Sequence, residues 1–236
     1  VLNYDDPVVR SFAKTTKGKV VFFSAQSKIE GAYLENGTIY FDGEKYLDVS
    51  DMTVGGVHNV YNALACVAVS AVLGLDKNFT SDAVKNFKGV SHRLEKVREV
   101  GGVTYIDDSK GTNIDAAIKA AQSMKTPTII LLGGKDKGED YAPLFDGLAR
   151  SPVIHAVIYG ENRFKMLNAA IKAGYFGISL CSEFNAAVRL AQFIAKPGQC
   201  VLLSPASASF DGFSNFEERG DAFKELVAGI DESFVK

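Results

Sequence analysis

Hydrophobic and polar positions change rhythm twice along this chain of 236 residues. Residues 1–57 carry short apolar runs punctuated by tight-turn pairs. Lys19–Ser24 reads as a strand. Ala32–Leu34 and Thr38–Phe41 flank Asn36-Gly37, a strong hairpin signal, and Asp42-Gly43 precedes another short strand around Lys45–Val49. The pattern predicts a β-meander. From His58 to Leu73 the rhythm becomes helical, with Ala63, Leu64, Val67, Ala68, Ala71 and Val72 on one face and Gly74 as the stop. A second helix is expected over Ser81–Phe87, capped by Thr80 or Ser81, with Gly89 as its breaker.

From about Val90 onward, strands and helices alternate. Strands are expected at Glu95–Val100, Val103–Ile106, Thr128–Leu132, Val153–Tyr159, Ile178–Leu180 and Gln199–Leu203. Helices are expected at Ile114–Met124, Tyr141–Ala149, Asn162–Ala173, Phe184–Ile194 and Phe216–Val227. Such alternation predicts an α/β fold, a Rossmann-like, mainly parallel sheet with helices on both faces. Gly101-Gly102 joins the first two strands too tightly for a crossover, so an antiparallel edge is expected. The boundary falls near Gly89–His92, dividing the chain into residues 1–90, β-rich with helices, and residues 91–236.

Composition narrows the functional classes. Hydrophobic residues at 47% suffice for full cores, and charged residues stand at 23%. A formal charge of −2, with Lys and Arg spread along the chain, gives no reason to expect nucleic acid or an anionic membrane as partner. Cys66, Cys181 and Cys200 lack metal spacing and read as buried free thiols. No apolar run reaches the roughly 18 residues of a membrane span. The first residues lack the layout of a signal peptide, so a cytoplasmic protein is the default expectation.

Five segments can carry chemistry. In Gly56-Val57-His58-Asn59-Val60-Tyr61-Asn62, which opens a helix, His58 or Asn59 can cap it. Asn59 and Asn62 lie three apart, and two carboxamides on one face can read the amino edge of a purine. Arg93, in Ser91-His92-Arg93-Leu94-Glu95 at the boundary, can tether a carboxylate or clamp a phosphate. Tyr105–Asn113 ends a strand in Asp107-Asp108 and continues into a Gly-containing loop. Asp108 is placed to accept ribose hydroxyls, and Asn113 reads as a helix cap. Gly133-Gly134-Lys135-Asp136-Lys137-Gly138 allows close backbone approach and offers cations to an anionic ligand, or forms a solvated turn. Ser204–Gly220, reading SPASASFDGFSNFEERG, follows an apolar strand with small residues and hydroxyls at the carboxyl edge, where open α/β sheets bind ligands. No Gly-x-Gly-x-x-Gly follows a strand, no Ser-His-Asp order with a nucleophile elbow is visible, and His155 reads as structural.

Taken in order, GVHNVYN, SHRLE, DDSKGTN, GGKDKG and SPASASFDGFSNFEERG resemble the ATP-dependent Mur ligases, specifically the branch that adds D-glutamate. The resemblance covers nearly the whole chain, most sharply Gly56–Phe223. It implies a ligase that joins D-glutamate to UDP-N-acetylmuramoyl-L-alanine, using ATP and Mg2+ through an acyl phosphate. It implies that Asn59 and Asn62 contact adenine, Arg93 reaches the ATP phosphates and Asp108 holds the ribose. Lys137 and Thr112 would grip the acceptor carboxylates, with Ser209, the backbone at Phe210, and Phe216 completing the pocket; Arg93 and Lys137 are the candidate catalytic residues.

The resemblance covers only the last part of the family's central domain and its third domain. No GxxGK[ST] loop occurs in the 236 residues. The resemblance places the magnesium ligands upstream of Val1, and it implies a monomer for the full-length protein. The expectation is a fragment without turnover of its own, in which residues 1–90 either expose apolar surface or bind a neighbouring chain through an open edge, and residues 92–236 fold independently. Two other readings stand beside it: another Mur or folylpolyglutamate-type ligase with a different acceptor, and a non-catalytic module for a nucleotide or acidic ligand.

Overall fold

Each of the two tight-turn pairs holds two successive residues at positive φ: Asn36 at 50° and Gly37 at 78°, Asp42 at 47° and Gly43 at 87°. That is the twist of a two-residue hairpin turn, which matches the right-handed twist of its strands. In the computed structural model, which describes residues 1–231, these turns join β3 (Gly31–Glu35), β4 (Thr38–Phe41) and β5 (Glu44–Asp48) as antiparallel neighbours. The meander expected over residues 1–57 is confined to these three strands. β1 (Leu2–Asn3) and β2 (Phe22–Ser24) pair in parallel, and β2 is also parallel to β3. Between β1 and β2 the chain crosses over through α1 (Pro7–Ser11), a short helix capped by the Asp6 carboxylate.

The chain divides into two compact units, Val1–Gly89 and Val90 onward. In the first, α2 (Val57–Val72) buries Val60, Ala63, Leu64, Val67 and Ala68 against Ala32, Ile39 and Leu47 of the sheet. α3 (Lys77–Lys85) begins earlier than the residue pattern suggests, because Asp76 accepts from the Phe79 N–H and caps it. Thr80 and Ser81, the expected caps, lie buried inside the helix, where their hydroxyls bond the carbonyls of Asp76 and Tyr46. The outer surface of this unit exposes Val69, Val72, Leu73, Leu75 and Phe79.

The second unit is a six-stranded sheet of β6 (Glu95–Val100), β7 (Val103–Asp107), β8 (Thr128–Gly133), β9 (Val153–Tyr159), β10 (Ile178–Leu180) and β11 (Cys200–Leu203). Their order is β10-β9-β8-β11-β7-β6. All neighbours are parallel except β6 and β7, the expected antiparallel edge. Period-two alternation divides β8 between two cores. Ile130 and Leu132 pack with α4 (Ile114–Ser123), α5 (Ala142–Leu148) and α6 (Arg163–Lys172), while Ile129 and Leu131 pack with α7 (Phe184–Ile194) and α8 (Phe216–Ala228). Both faces of β8 and β11 are therefore buried, which is why these strands read as continuous apolar runs.

Candidate functional site

Strand register sets the site. Leu203 of β11 lies level with Asp107 of β7 and Leu131 of β8, and Gly133 lies level with Tyr159 of β9. Four connecting loops thus leave the sheet at one carboxyl edge. The loop after β11 is stitched between two others: the Ala206 N–H donates to the Gly111 carbonyl at 2.9 Å, and the Gly133 N–H to the Pro205 carbonyl at 2.9 Å. The Lys135 N–H donates to the Ala208 carbonyl at 2.9 Å. Such close packing explains the small residues. A Cβ on Gly134 would overlap the Ala208 carbonyl oxygen, and Ala206, fully buried, is held at φ 57°.

Two residues that sequence reading passed over hold this edge together. Arg219, inside α8, is fully buried. Its guanidinium donates to the Ser109 hydroxyl at 2.9 Å, the Ser109 carbonyl at 2.8 Å and the Ser207 carbonyl at 3.1 Å. It therefore ties the β7 and β11 loops from beneath, and no carboxylate among the described residues pairs with it. The Tyr159 hydroxyl lies near it without reaching hydrogen-bond geometry, and burial pushes that phenol up to about 12. Asn162, after β9, is 2% exposed. Its carboxamide accepts from the Gly134 N–H and donates to the hydroxyls of Tyr141 and Ser207.

The candidate residues stand around these supports. Lys137 is exposed, and its ammonium donates to the Thr112 carbonyl at 2.7 Å, so two loops 25 residues apart in sequence meet. Ser209 is buried, and its carbonyl accepts from the N–H groups of Gly212 and Phe213. Phe210 projects outward, 69% exposed. Phe216 opens α8 with its ring 4.8 Å beneath the Lys110 ammonium and edge-on to His92. Asn113 caps α4 through the Ala116 N–H.

Asp108 is more enclosed than a ribose contact requires. It is 5% exposed; one oxygen accepts from the Leu94 N–H at 3.2 Å and the other from the Ser204 hydroxyl at 2.6 Å. Burial raises its pKa to about 6, against the opposing pull of those bonds and of Arg93, while the Asp107 charge adds to the rise. Arg93 itself is exposed, next to the Leu94 peptide that Asp108 holds. In the Val1–Gly89 unit, Asn59 and Asn62 do meet: the Asn62 amide donates to the Asn59 side-chain oxygen at 3.3 Å, and the Asn59 amide donates to the Gly55 carbonyl at 2.8 Å. Asn59 lies in the first turn of α2 and Asn62 in the second, and Gly56, at φ 98°, precedes the helix.

His92, Glu95 and Asp107 bring ligand atoms within 4.8 Å of one another. The Lys224 ammonium already lies 2.8 Å from Glu95 and 3.9 Å from Asp107, so a cation there would have to displace it. On the flank towards α7, a cavity of about 710 Å³ is lined by Lys135, Tyr159, Glu161, Phe184 and Asp211, among others. His155 bonds Ser179 within the sheet, as a structural residue would. The expectation of three buried thiols holds only at Cys200, where burial pushes the pKa up to about 11; Cys181 is half-buried and Cys66 is exposed on α2.

Residues 92–207 match the family described as Mur ligase, glutamate ligase domain. The chain is 41% identical to a UDP-N-acetylmuramoylalanine–D-glutamate ligase from Pelotomaculum thermopropionicum, over 98% of its own length and 51% of the relative's. Residues 92–207 are thus a Mur ligase glutamate ligase domain. A relative of the same description from Clostridioides difficile is also 41% identical over 98% of the chain and 52% of its own length. The chain therefore spans about half the length of the curated relatives it matches. Its fold matches that of an Acinetobacter baumannii UDP-N-acetylmuramoylalanyl-D-glutamyl-2,6-diaminopimelate–D-alanyl-D-alanyl ligase at TM-score 0.68, with 17% identity, over 96% of this chain and 50% of that one. A Mycobacterium tuberculosis folylpolyglutamate synthase solved with ADP matches at TM-score 0.64, with 17% identity over 95% of this chain and 52% of that one. Ser209, Phe210, Phe216 and Arg219 lie beyond the matched domain span, and Asn59 and Asn62 precede it. Among the described residues, no helix is long and apolar enough to cross a membrane.

Proposed function

We propose that this chain supplies nucleotide- and acceptor-binding residues of an ATP-dependent ligase that joins D-glutamate to UDP-N-acetylmuramoyl-L-alanine. The observation that carries the reading is the meeting of Lys137 with Thr112 beside the stitched β11 loop. A dicarboxylate acceptor needs a cation and fixed donors, and an exposed ammonium with a hydroxyl residue and strand-end N–H groups supplies them. Lys137 and Thr112 take one carboxylate. Ser209, the Phe210 backbone and Phe216 complete the pocket, the hydroxyl and backbone N–H as polar partners and the Phe216 ring as an apolar wall.

In the reaction, ATP phosphorylates the terminal carboxylate of the nucleotide-linked substrate. The D-glutamate amine attacks that acyl phosphate, and the tetrahedral intermediate expels phosphate to leave an amide. The chain's own part is to bind and orient. Arg93 meets the negative charge of the phosphoryl groups. Asn59 and Asn62 read the adenine edge through one donor and one acceptor. Asp108 offers a ribose hydroxyl only its rim, and it also fixes the Leu94 peptide next to Arg93. Magnesium is assigned to none of the described residues: at the His92, Glu95 and Asp107 cluster, the Lys224 ammonium already takes the place of a cation.

The test is an NMR titration of the chain with D-glutamate, with L-glutamate and the Lys137→Ala variant as controls. Shifts at Lys137, Thr112 and Ser209 that follow D-glutamate and vanish in the variant are expected. Equal responses to both enantiomers, or shifts that persist in the variant, would refute the acceptor assignment.

A further inference from the structure

We infer that Asn162 is a positioning residue for acceptor binding: it touches no ligand, but it locks the β8 and β11 loops into one rigid platform. The inference rests on the acceptor assignment above. The platform has two halves from distant sequence. One is the Gly133–Gly138 turn that carries Lys137; the other is the Ser204–Phe213 loop that carries Ser209. Asn162 lies between them, on the loop after β9.

Its carboxamide is fully engaged. The side-chain oxygen accepts from the Gly134 N–H at 3.0 Å, and the side-chain amide donates to the Ser207 hydroxyl at 2.7 Å and the Tyr141 hydroxyl at 2.8 Å. The Asn162 backbone N–H also donates to the Gly134 carbonyl at 3.1 Å. One side chain thus binds both halves, and Tyr141 holds it in turn from the start of α5. The neighbouring residues tighten the same joint. A Cβ on Gly160 would lie 2.9 Å from the Gly134 nitrogen, and the Glu161 N–H donates to the Asp211 carboxylate at 3.1 Å. At the rim, Glu161 pairs with Lys135 at 2.7 Å. A carboxamide suits this position because it presents an acceptor and two donors in one plane. With water excluded, each broken bond leaves an unsatisfied buried group, so the two loops cannot separate freely.

The consequence is a division of labour. Lys137 and Ser209 supply the contacts, and Asn162 fixes the distance between them. Ligand affinity should therefore depend on a residue that no ligand reaches.

The experiment compares the wild-type 236-residue chain with Asn162→Ala and Ser207→Ala by NMR, reading amide exchange and D-glutamate affinity. In Asn162→Ala, exchange at Gly134 should rise about tenfold or more while Ile130 and Val157 keep their protection. D-glutamate affinity should fall about tenfold, the size of one or two net hydrogen bonds. Ser207→Ala cuts only the tie to the β11 loop, so affinity should fall about threefold with Gly134 exchange unchanged. A faster-exchanging Gly134 with D-glutamate affinity within about twofold of wild type would overturn the inference. If Asn162→Ala does not fold, Ser207→Ala decides alone, and unchanged affinity there overturns it. If the wild-type chain gives no response to D-glutamate, the acceptor assignment fails instead. The positioning inference is then read from ligand-free spectra: joint shifts at Lys137 and Ser209 in Asn162→Ala support it, and changes confined to Gly134 and Tyr141 overturn it.

Discussion

Asp108 gives the sharpest quantitative prediction. Its carboxyl is buried at the end of β7 with two protein donors, and its pKa is raised from 3.8 to about 6. A carboxyl whose folded pKa lies above its unfolded value binds a proton more tightly when folded. Stability is therefore unaffected well below pH 3.8, declines as pH rises between 3.8 and about 6, and stays at the lower level above that. Two units correspond to about 3 kcal/mol at neutral pH.

Asp108→Asn removes the charge and keeps the contacts. The new side-chain oxygen still accepts from the Leu94 N–H, and the new amide donates to Ser204, whose hydroxyl can rotate to accept. The variant should therefore be more stable than wild type by up to about 3 kcal/mol near pH 8, and the gap should close to about 0.5 kcal/mol near pH 4 and vanish below about pH 3. Urea unfolding followed at Ile130 and Leu202 by NMR isolates the unit that holds Asp108. A gap that stays constant with pH would show that hydrogen bonding, not charge burial, sets the difference. A variant less stable than wild type at about pH 8 would refute the argument outright.

The remaining predictions concern the loops of the sheet edge and the asparagine pair of α2. Gly134→Ala places a Cβ against the Ala208 carbonyl from a backbone at φ 143°, so it should destabilise the unit by about 3 kcal/mol or more, seen in the same urea experiment. Arg219→Met keeps the bulk but strands the carbonyls of Ser109 and Ser207. A loss of about 2–4 kcal/mol is expected, and a gain in stability would show that the buried charge costs more than its bonds return. Asn59→Ala and Asn62→Ala alter a partly exposed pair, so stability should change by less than about 0.5 kcal/mol while calorimetry finds weaker adenine-nucleotide binding.

Local signals in the sequence were accurate wherever local physics decides the outcome. Both hairpin turns, the alternation after Val90, the Gly101-Gly102 edge and the Asn113 cap follow from backbone sterics and short-range hydrogen bonds. Long-range pairing was not legible. Nothing in Phe22–Ser24 distinguishes a parallel from an antiparallel partner, so the pattern places β2 in a meander, and the two residues of β1 are too few to signal a strand. The start of α3 was misplaced because Asp76, Thr80 and Ser81 all have capping chemistry, and only burial separates them.

Arg219 is the instructive omission. It sits in Glu217-Glu218-Arg219-Gly220-Asp221, which reads as a solvated helix face. Yet Arg219, Phe223 and Val227 recur at intervals of four, and the latter two are fully buried. That spacing puts the guanidinium on the apolar stripe of α8. A cation in that position requires several acceptors at the sheet edge, and Ser109 and Ser207 sit at the ends of the two strands it underlies. Their small side chains leave backbone carbonyls open to it, and Gly134 leaves room above, its Cβ position being 3.3 Å from the guanidinium. The serines of the DDSKGTN and SPASAS segments are thus explained in part from below. They receive a buried arginine, and through it the loops that carry Thr112 and Ser209 are tied to the helix that begins at Phe216.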